Sequence, residues 1–353
     1  MKLYIRATGN VSPQRTFGHP PFLAEPVLQT GNRLRCVEPD YRSFIDAKLI
    51  RRMSRIIKMG VAAAMECLQE AGTAEPEAIV TGTAYGCMED TGVFLEKMIS
   101  NREEMLTPTS FIQSTHNTVG AQIALMLGCH RYNNTFVHKG FSFESALLDS
   151  MMQILDGDAE QVLAGSVDEI TDTSHAVLSR FGLYRNDETS NLDIIRNPAK
   201  GTIAGEGAAF FLLSGNPSSN DYATLDAVST FYKPENENIV HEQVSAFLSA
   251  NHVTAADIDL VITGKNGDIN GDKIYDQVTS ALFANKPETA YKHLCGEYPT
   301  STSFAMWVAA NILKSGILPP VLNVSQPPEK ISKILVYNHH QLNHHSLFLF
   351  SAC

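Results

Sequence analysis

The sequence has no run of about 18 uninterrupted apolar residues, the length a membrane helix needs, so a membrane span is not expected. The N-terminal Met1-Lys2-Leu3-Tyr4-Ile5-Arg6 reaches Gly9-Asn10 too soon to hold the apolar stretch of a secretory signal. The six cysteines (Cys36, Cys67, Cys87, Cys129, Cys295, Cys353) include no CxxC pair and no disulfide-like spacing, which suits a reducing cytoplasm. Excess positive charge is also lacking. The formal net charge is −11, so a bulk electrostatic case for binding nucleic acid is weak. One basic stretch, Arg51-Arg52-Met53-Ser54-Arg55-Ile56-Ile57-Lys58, reads either as a solvated helix start or as a docking patch for an acidic partner.

What is present is a chain of 353 residues, 44% hydrophobic, enough for one large domain or two fused similar ones. Ser54 can cap a helix to Ala71, with Gly72 as its stop; apolar residues on nearly every side predict that it is buried. Short apolar strands are expected at 78–82, 134–138, 161–164 and 208–213, alternating with helices near 89–99, 118–127 and 143–155. Turn formers at Gly215–Asp221 mark a junction. The rhythm then repeats, with strands at 224–231, 260–263, 334–337 and 347–350 and helices at 239–251, after Asp272, and at 303–315. The pattern predicts an α/β protein with a largely parallel sheet covered on both faces, built of halves at 1–215 and 216–353.

Several segments give this organisation a family resemblance. Gly157-Asp158-Ala159-Glu160-Gln161-Val162-Leu163-Ala164-Gly165, Gly201-Thr202-Ile203-Ala204-Gly205-Glu206-Gly207-Ala208-Ala209, Lys292-His293-Leu294-Cys295-Gly296-Glu297 and Gly316-Ile317-Leu318-Pro319-Pro320 with Asn323 follow one another in the order of the β-ketoacyl-acyl-carrier-protein synthases. Asn117 before a Gly-Ala helix and Val253–Asp259 are weaker echoes. The resemblance implies a five-layered thiolase-type fold of two pseudo-duplicated halves, usually dimeric. The implied activity is decarboxylative condensation of an enzyme-bound acyl group with malonyl-acyl carrier protein.

That chemistry needs a thiolate at a helix N-terminus, where the dipole lowers its pKa, and hydrogen-bond donors for the enolate. The family's spacing puts the nucleophile position at Gly140, which has no side chain; no Cys occurs from 130 to 294. The first family histidine falls at Asn266, with Gly264 as the other option, and the second at Glu297, while Lys292 is retained. The family's glycine-rich gating loop is replaced by Asn338-His339-His340-Gln341-Leu342-Asn343-His344-His345, expected to form a polar loop.

The resemblance extends to chain-length factors, family members without the nucleophile that pair with an active synthase. It therefore implies a non-catalytic partner, as a heterodimer subunit or homodimer, contacting acyl carrier protein. An acyltransferase or thioesterase using Cys295 or Ser142 is the alternative; Glu144 stands where a nucleophile elbow needs its second glycine. A homodimeric acyl-binding scaffold is a third reading. His138 and Lys139 could line a pocket, with a buried core histidine the competing role for His138. No cofactor or metal is expected. The C-terminal histidines come in adjacent pairs, and neighbours on a strand face opposite ways, so at most two converge. Asp268–Asp272 departs from a calcium loop, and Asp272 reads better as a helix N-cap.

Overall fold

The computed structural model describes residues 2–324 and 326–353. The first half of the chain runs β1 (Leu3–Val11), α1 (Ala47–Ile50), α2 (Arg55–Ala71), β2 (Ala78–Gly82), α3 (Met88–Ser100), α4 (Pro108–Gln113), α5 (Thr118–Leu127), β3 (Tyr132–Phe136), α6 (Ser142–Leu155), β4 (Gln161–Asp168), α7 (Asp172–Arg180) and β5 (Gly207–Ser214). The second runs β6 (Thr224–Tyr232), α8 (Glu237–Ala250), β7 (Leu260–Thr263), α9 (Lys273–Leu282), β8 (Glu288–Ala290), α10 (Lys292–Cys295), α11 (Thr302–Ser315), β9 (Lys333–His340) and β10 (His344–Ser351).

The strands share one sheet in the order β3-β2-β4-β5-β1-β6-β10-β9-β7-β8. Its two ends are built alike. β2 is parallel to β3 and β4, with β5 antiparallel to β4 and β1. Correspondingly, β7 is parallel to β8 and β9, with β10 antiparallel to β9 and β6. The halves meet through the short pairing of Leu3 with Leu225 and Tyr4 with Thr224. The pseudo-duplication expected from the sequence rhythm is thus written in the strand order, but the sheet is mixed and not largely parallel as expected, with β5, β1, β6 and β10 antiparallel to every neighbour.

The core sorts into layers. α2 and α5 cover one face of the first half-sheet, while α8 and α9 cover the matching face of the second. The central cluster joins both half-sheets to α6 and α11, and Phe304–Ala310 of α11 are all buried. This is the five-layered arrangement implied by the family resemblance. α2 can be buried because its small Ala62, Ala63 and Ala64 allow close approach, and Gly72 ends it at φ 67, a left-handed C-cap.

Local readings need correction. Ser54 sits at the N-cap of α2 without a side-chain capping bond. The strand expected at 134–138 is Tyr132–Phe136. Arg55 is no free docking charge: its guanidinium forms a fork with the buried Glu206 carboxylate, at 2.6 Å to Oε2 and 2.5 Å to Oε1. The largest difference is at the C-terminus. The expected polar loop is instead two paired strands, and His339, His340, His344 and His345 are all buried.

Candidate functional site

After β3 the chain passes through a 3-10 turn at Lys139–Phe141 and enters α6 at Ser142. Lys139 takes a left-handed φ of 49, and Ser142 pins the turn. Its hydroxyl accepts from the His138 N–H at 2.8 Å and donates to the Lys139 carbonyl at 2.8 Å. Both bonds are to backbone and no imidazole reaches the oxygen, so the geometry gives Ser142 a structural task. His138 and Lys139 are exposed, the former resting edge-on against Phe141 at 5.5 Å. His138 is therefore not a core histidine.

Gly140, by contrast, is buried. A Cβ placed on it would lie 2.8 Å from the His340 Cβ and 2.9 Å from the His344 Cβ. Real Cβ atoms do not approach that closely, so the space a side chain at this position would occupy is filled by two histidines of the C-terminal hairpin.

Lys292 and Glu297 flank a tight crossing of chain. Gly296, at φ 76, lies against Gly205, where an added Cβ would be 2.0 Å from the Cys295 carbonyl oxygen. The crossing is laced by Glu297 N–H to the Ile203 carbonyl at 2.8 Å and Gly205 N–H to the Glu297 carbonyl at 2.9 Å. It holds the Glu297 side chain inside, where Oε2 accepts from Lys292 Nζ at 2.6 Å and from Asn266 Nδ2 at 2.7 Å, and Oε1 meets His340 Nδ1 at 2.9 Å. Burial alone would push this carboxyl up, but the Lys292 ammonium and the His340 bond outweigh it and hold it at about 2. Lys292 also donates to the His339 carbonyl at 3.2 Å.

Asn266 belongs to a loop organised by Asp272. The expected N-cap residue occupies that position but makes no side-chain cap; its carboxylate turns back to accept from Asn266 N–H at 2.9 Å and Gly267 N–H at 2.8 Å. Burial raises its pKa to about 6. Cys295 is fully buried, and burial pushes its thiol well above the usual range. Neither it nor Ser142 is an activated nucleophile.

In the hairpin, His340 pairs with His344 and His339 with His345. The connecting Gln341 and Leu342 are both left-handed, at φ 52 and 57. His339 accepts from the Leu342 N–H at Nδ1 (3.3 Å) and bonds the Gly271 carbonyl through Nε2 (2.9 Å). His345 bonds the Leu342 carbonyl through Nε2 (3.0 Å) and the Tyr337 hydroxyl through Nδ1 (3.0 Å). These two rings clamp the turn. Among the described residues no group of three or more metal-ligating side chains is assembled.

Above Glu297 and His340 opens a cavity of about 220 Å³, lined also by Tyr184, Thr202, Asn266 and Leu342. A smaller cleft shares Tyr184, His340 and Gln341 with it. The structure therefore brings Asn266, Glu297 and Lys292 together around His340 and sets Gly140 against the same hairpin. It leaves His138 and Lys139 outside.

Sequence reasoning missed the roles of His340, His344 and Tyr184. The alternation of adjacent histidines held the signal for the first two, because it sends one of each pair to a common face. It also missed that Glu144 is fully buried, with only the Thr302 and Ser346 hydroxyls set to bond it among the described residues; burial raises its pKa to about 7.

The β-ketoacyl synthase N-terminal domain model matches residues 31–217. Solved structures of similar fold include the ishigamide ketosynthase/chain length factor, at 16% identity and TM-score 0.82, covering 100% of this chain and 99% of that one. A second is a type II polyketide synthase complex of acyl-carrier protein with its ketosynthase bound to the hexaketide (AntDE:AntF), at 13% identity and TM-score 0.78, covering 100% and 99%. A third is the ketosynthase ApeO with its chain length factor ApeC from Xenorhabdus doucetiae, at 15% identity and TM-score 0.74, covering 99% and 98%. With a domain match over more than half its length and the fold to go with it, the chain belongs to the β-ketoacyl synthase family.

Proposed function

We propose that this chain is a non-condensing, chain-length-factor-like subunit that pairs with an active 3-oxoacyl-acyl-carrier-protein synthase in fatty-acid or polyketide-type biosynthesis. One observation carries the reading: at Gly140, the position the family resemblance assigns to the nucleophile, the missing side chain's space is taken up by His340 and His344. A family member whose acyl-holding position is both empty of sulfur and filled from the opposite half has no place to carry the acyl group. In the same reading, Asn266 and Glu297 stand at the two histidine positions, Lys292 is the retained lysine, and the halves divide at 215/216.

A partner face supports pairing. β3 is an edge strand, and beside it lie exposed Val137, Leu148, Met152 and Leu155, with Leu125, Phe111 and Ile112 nearby in sequence on α5 and α4. Edge strands with apolar flanks are pairing surfaces unless covered. The neighbours named above include a ketosynthase in complex with its chain length factor and another with acyl-carrier protein. A second subunit on this face and carrier-protein contact belong to the proposal, as does a cytoplasmic setting. The same face would also serve a homodimer. No described helix is long and apolar enough to cross a membrane.

The test is co-expression with a ketosynthase encoded beside this chain's gene. A stable 1:1 complex and an altered product chain length are expected. A chain that elutes alone and leaves the product profile unchanged sinks the reading, and a homodimer alone favours the scaffold role.

A further inference from the structure

We propose that His340 and Glu297 form an acid–base pair that hydrolyses an acyl thioester held in the cavity beside them, with water as the nucleophile. The thioester class rests on family membership, not on the pairing proposed above.

The arrangement divides the labour of Glu297 between its oxygens. Lys292 and Asn266 occupy Oε2, leaving Oε1 to His340 Nδ1 at 2.9 Å. A carboxylate accepts the Nδ1 proton, which fixes the ring's tautomer and leaves Nε2 with a free lone pair. Among the described residues Nε2 makes no hydrogen bond, and the ring lines both the cavity of about 220 Å³ and the smaller cleft.

The hairpin turn next to His340 fixes the backbone that carries its ring. Gln341 and Leu342 are both held left-handed, at φ 52 and 57, with the Leu342 peptide clamped by His339 and His345. A tight hairpin turn calls for left-handed residues, and the surrounding bonds hold these two in place. Here it aims the ring of the preceding residue. Tyr184 lines both openings with His340, and burial keeps its phenol protonated, so its O–H can donate to a developing oxyanion. Because the Ser142 hydroxyl and the Cys295 thiol are committed or buried, water is left as the attacking group.

The step balances without a further reagent. His340 Nε2 takes a proton from water as its oxygen bonds to the acyl carbon, and Tyr184 donates to the resulting oxyanion. The tetrahedral intermediate collapses with cleavage of the C–S bond. The sulfur leaves with the electron pair and takes the proton from the imidazolium, giving a carboxylic acid and a free thiol. Glu297 stays ionised throughout and acts as a positioning residue, while His340 is the catalytic one.

The experiment incubates the full chain with the butyryl thioester of N-acetylcysteamine in ¹⁸O-water and follows butyrate by mass spectrometry. Turnover above buffer, with one ¹⁸O in the product and no acyl adduct on the protein, is expected. His340→Gln should lower the rate by about 10²-fold or more, and Tyr184→Phe by about 10²-fold, both with unchanged melting curves. Glu297→Gln should move the acidic limb of the pH–rate profile, the limb a general base sets, to lower pH, whereas a purely structural Glu297 would lower the rate equally at every pH. No turnover by the folded wild-type chain, a covalent acyl adduct, or an undiminished rate in folded His340→Gln each overturns the proposal. Because the assay needs no second subunit, hydrolysis without a complex, or a complex without hydrolysis, separates this inference from the pairing reading.

Discussion

On one face of the β9–β10 hairpin, His339 stacks on Tyr275 at 4.5 Å and His345 on Phe231 at 4.8 Å. On the other face His340 bonds Glu297, and His344 packs edge-on against Phe141 at 4.7 Å beside Gly140. Four identical side chains, adjacent in pairs, are thus sorted by the pleat of the strands into a scaffold face and a site face. The scaffold histidines spend both ring nitrogens on the turn and its surroundings. The site histidines leave nitrogens unspent: among the described residues His344 Nδ1 is buried without a partner and His340 Nε2 makes no hydrogen bond. The difference lies in what each face meets, and substitutions on each side test it.

The largest effect is expected on the site face. Glu297→Leu would leave Lys292 buried without its counter-charge, and breaking such a pair costs about 3–5 kcal/mol. The unfolding free energy from urea titration should drop accordingly; a drop under about 1 kcal/mol would mean that water reaches Lys292 and that the cluster is not the dry ionic knot described. Gly140→Cys comes next. Restoring a thiol should not restore condensation, because its Cβ meets His340 and His344. Overpacking of this kind costs about 1–3 kcal/mol. A stable Gly140→Cys variant that takes up an acyl group would show that the hairpin yields and that the two faces differ less than the geometry says.

Much of this was legible in the sequence, and the reasons it stopped are physical. Blocks of apolar residues ended by a glycine marked α2, and the unbroken run at 208–213 marked β5. Lys292 and Glu297 were singled out as family positions, a retained lysine and a replaced histidine, but their pairing with each other was not read. β1 went unseen because Arg6 interrupts its pattern, and the Asp221 that pairs with it is 215 residues away. α7 was missed because Thr171-Asp172-Thr173-Ser174-His175 reads as turn chemistry, although Thr171 and Ser174 form a capping box. The hairpin was misread for two reasons. Histidine counts as polar wherever it sits, and Gln341-Leu342 carries none of the glycine or asparagine that announces a tight turn. His340 finds Glu297 across 43 residues, a contact only the fold creates.

Acid should act more gently and on both faces, since burial also lowers His344 of the site face to about 4. Burial lowers His339 to about 3 and His345 to about 4, from an ordinary value near 6.5. The unfolded chain therefore binds protons that the folded one refuses. Their contribution is whole above about pH 6.5 and is lost as pH falls toward 4, at about 1.4 kcal/mol per pH unit for each proton. Glu144 and Glu169, raised by burial to about 7, act oppositely, because the folded state keeps their protons as pH rises. Only a difference isolates the histidine. The stability gap between wild type and His345→Gln should shrink by about 1.4 kcal/mol per unit from pH 6 to 5. A constant gap would mean that His345 titrates normally and that its face is not sealed.

The smallest effect concerns the turn that joins the faces. Three residues lie between the paired His340 and His344; Gln341 and Leu342 are both left-handed, and Asn343 N–H bonds the His340 carbonyl at 3.2 Å. A leucine at φ 57 pays for its Cβ, a penalty glycine avoids. Leu342→Gly should therefore raise stability, by about 1 kcal/mol after the extra chain entropy of glycine is subtracted. Because Leu342 is exposed and its clamping bonds use only its backbone, His339 and His345 lose nothing in the exchange. A gain in midpoint with unchanged His339 and His345 imidazole signals in NMR would locate the strain in that one residue. A loss would show that the Leu342 side chain, half covered at the rim of the cavity, supports the site face directly, making the turn part of the site rather than the clamp that aims it.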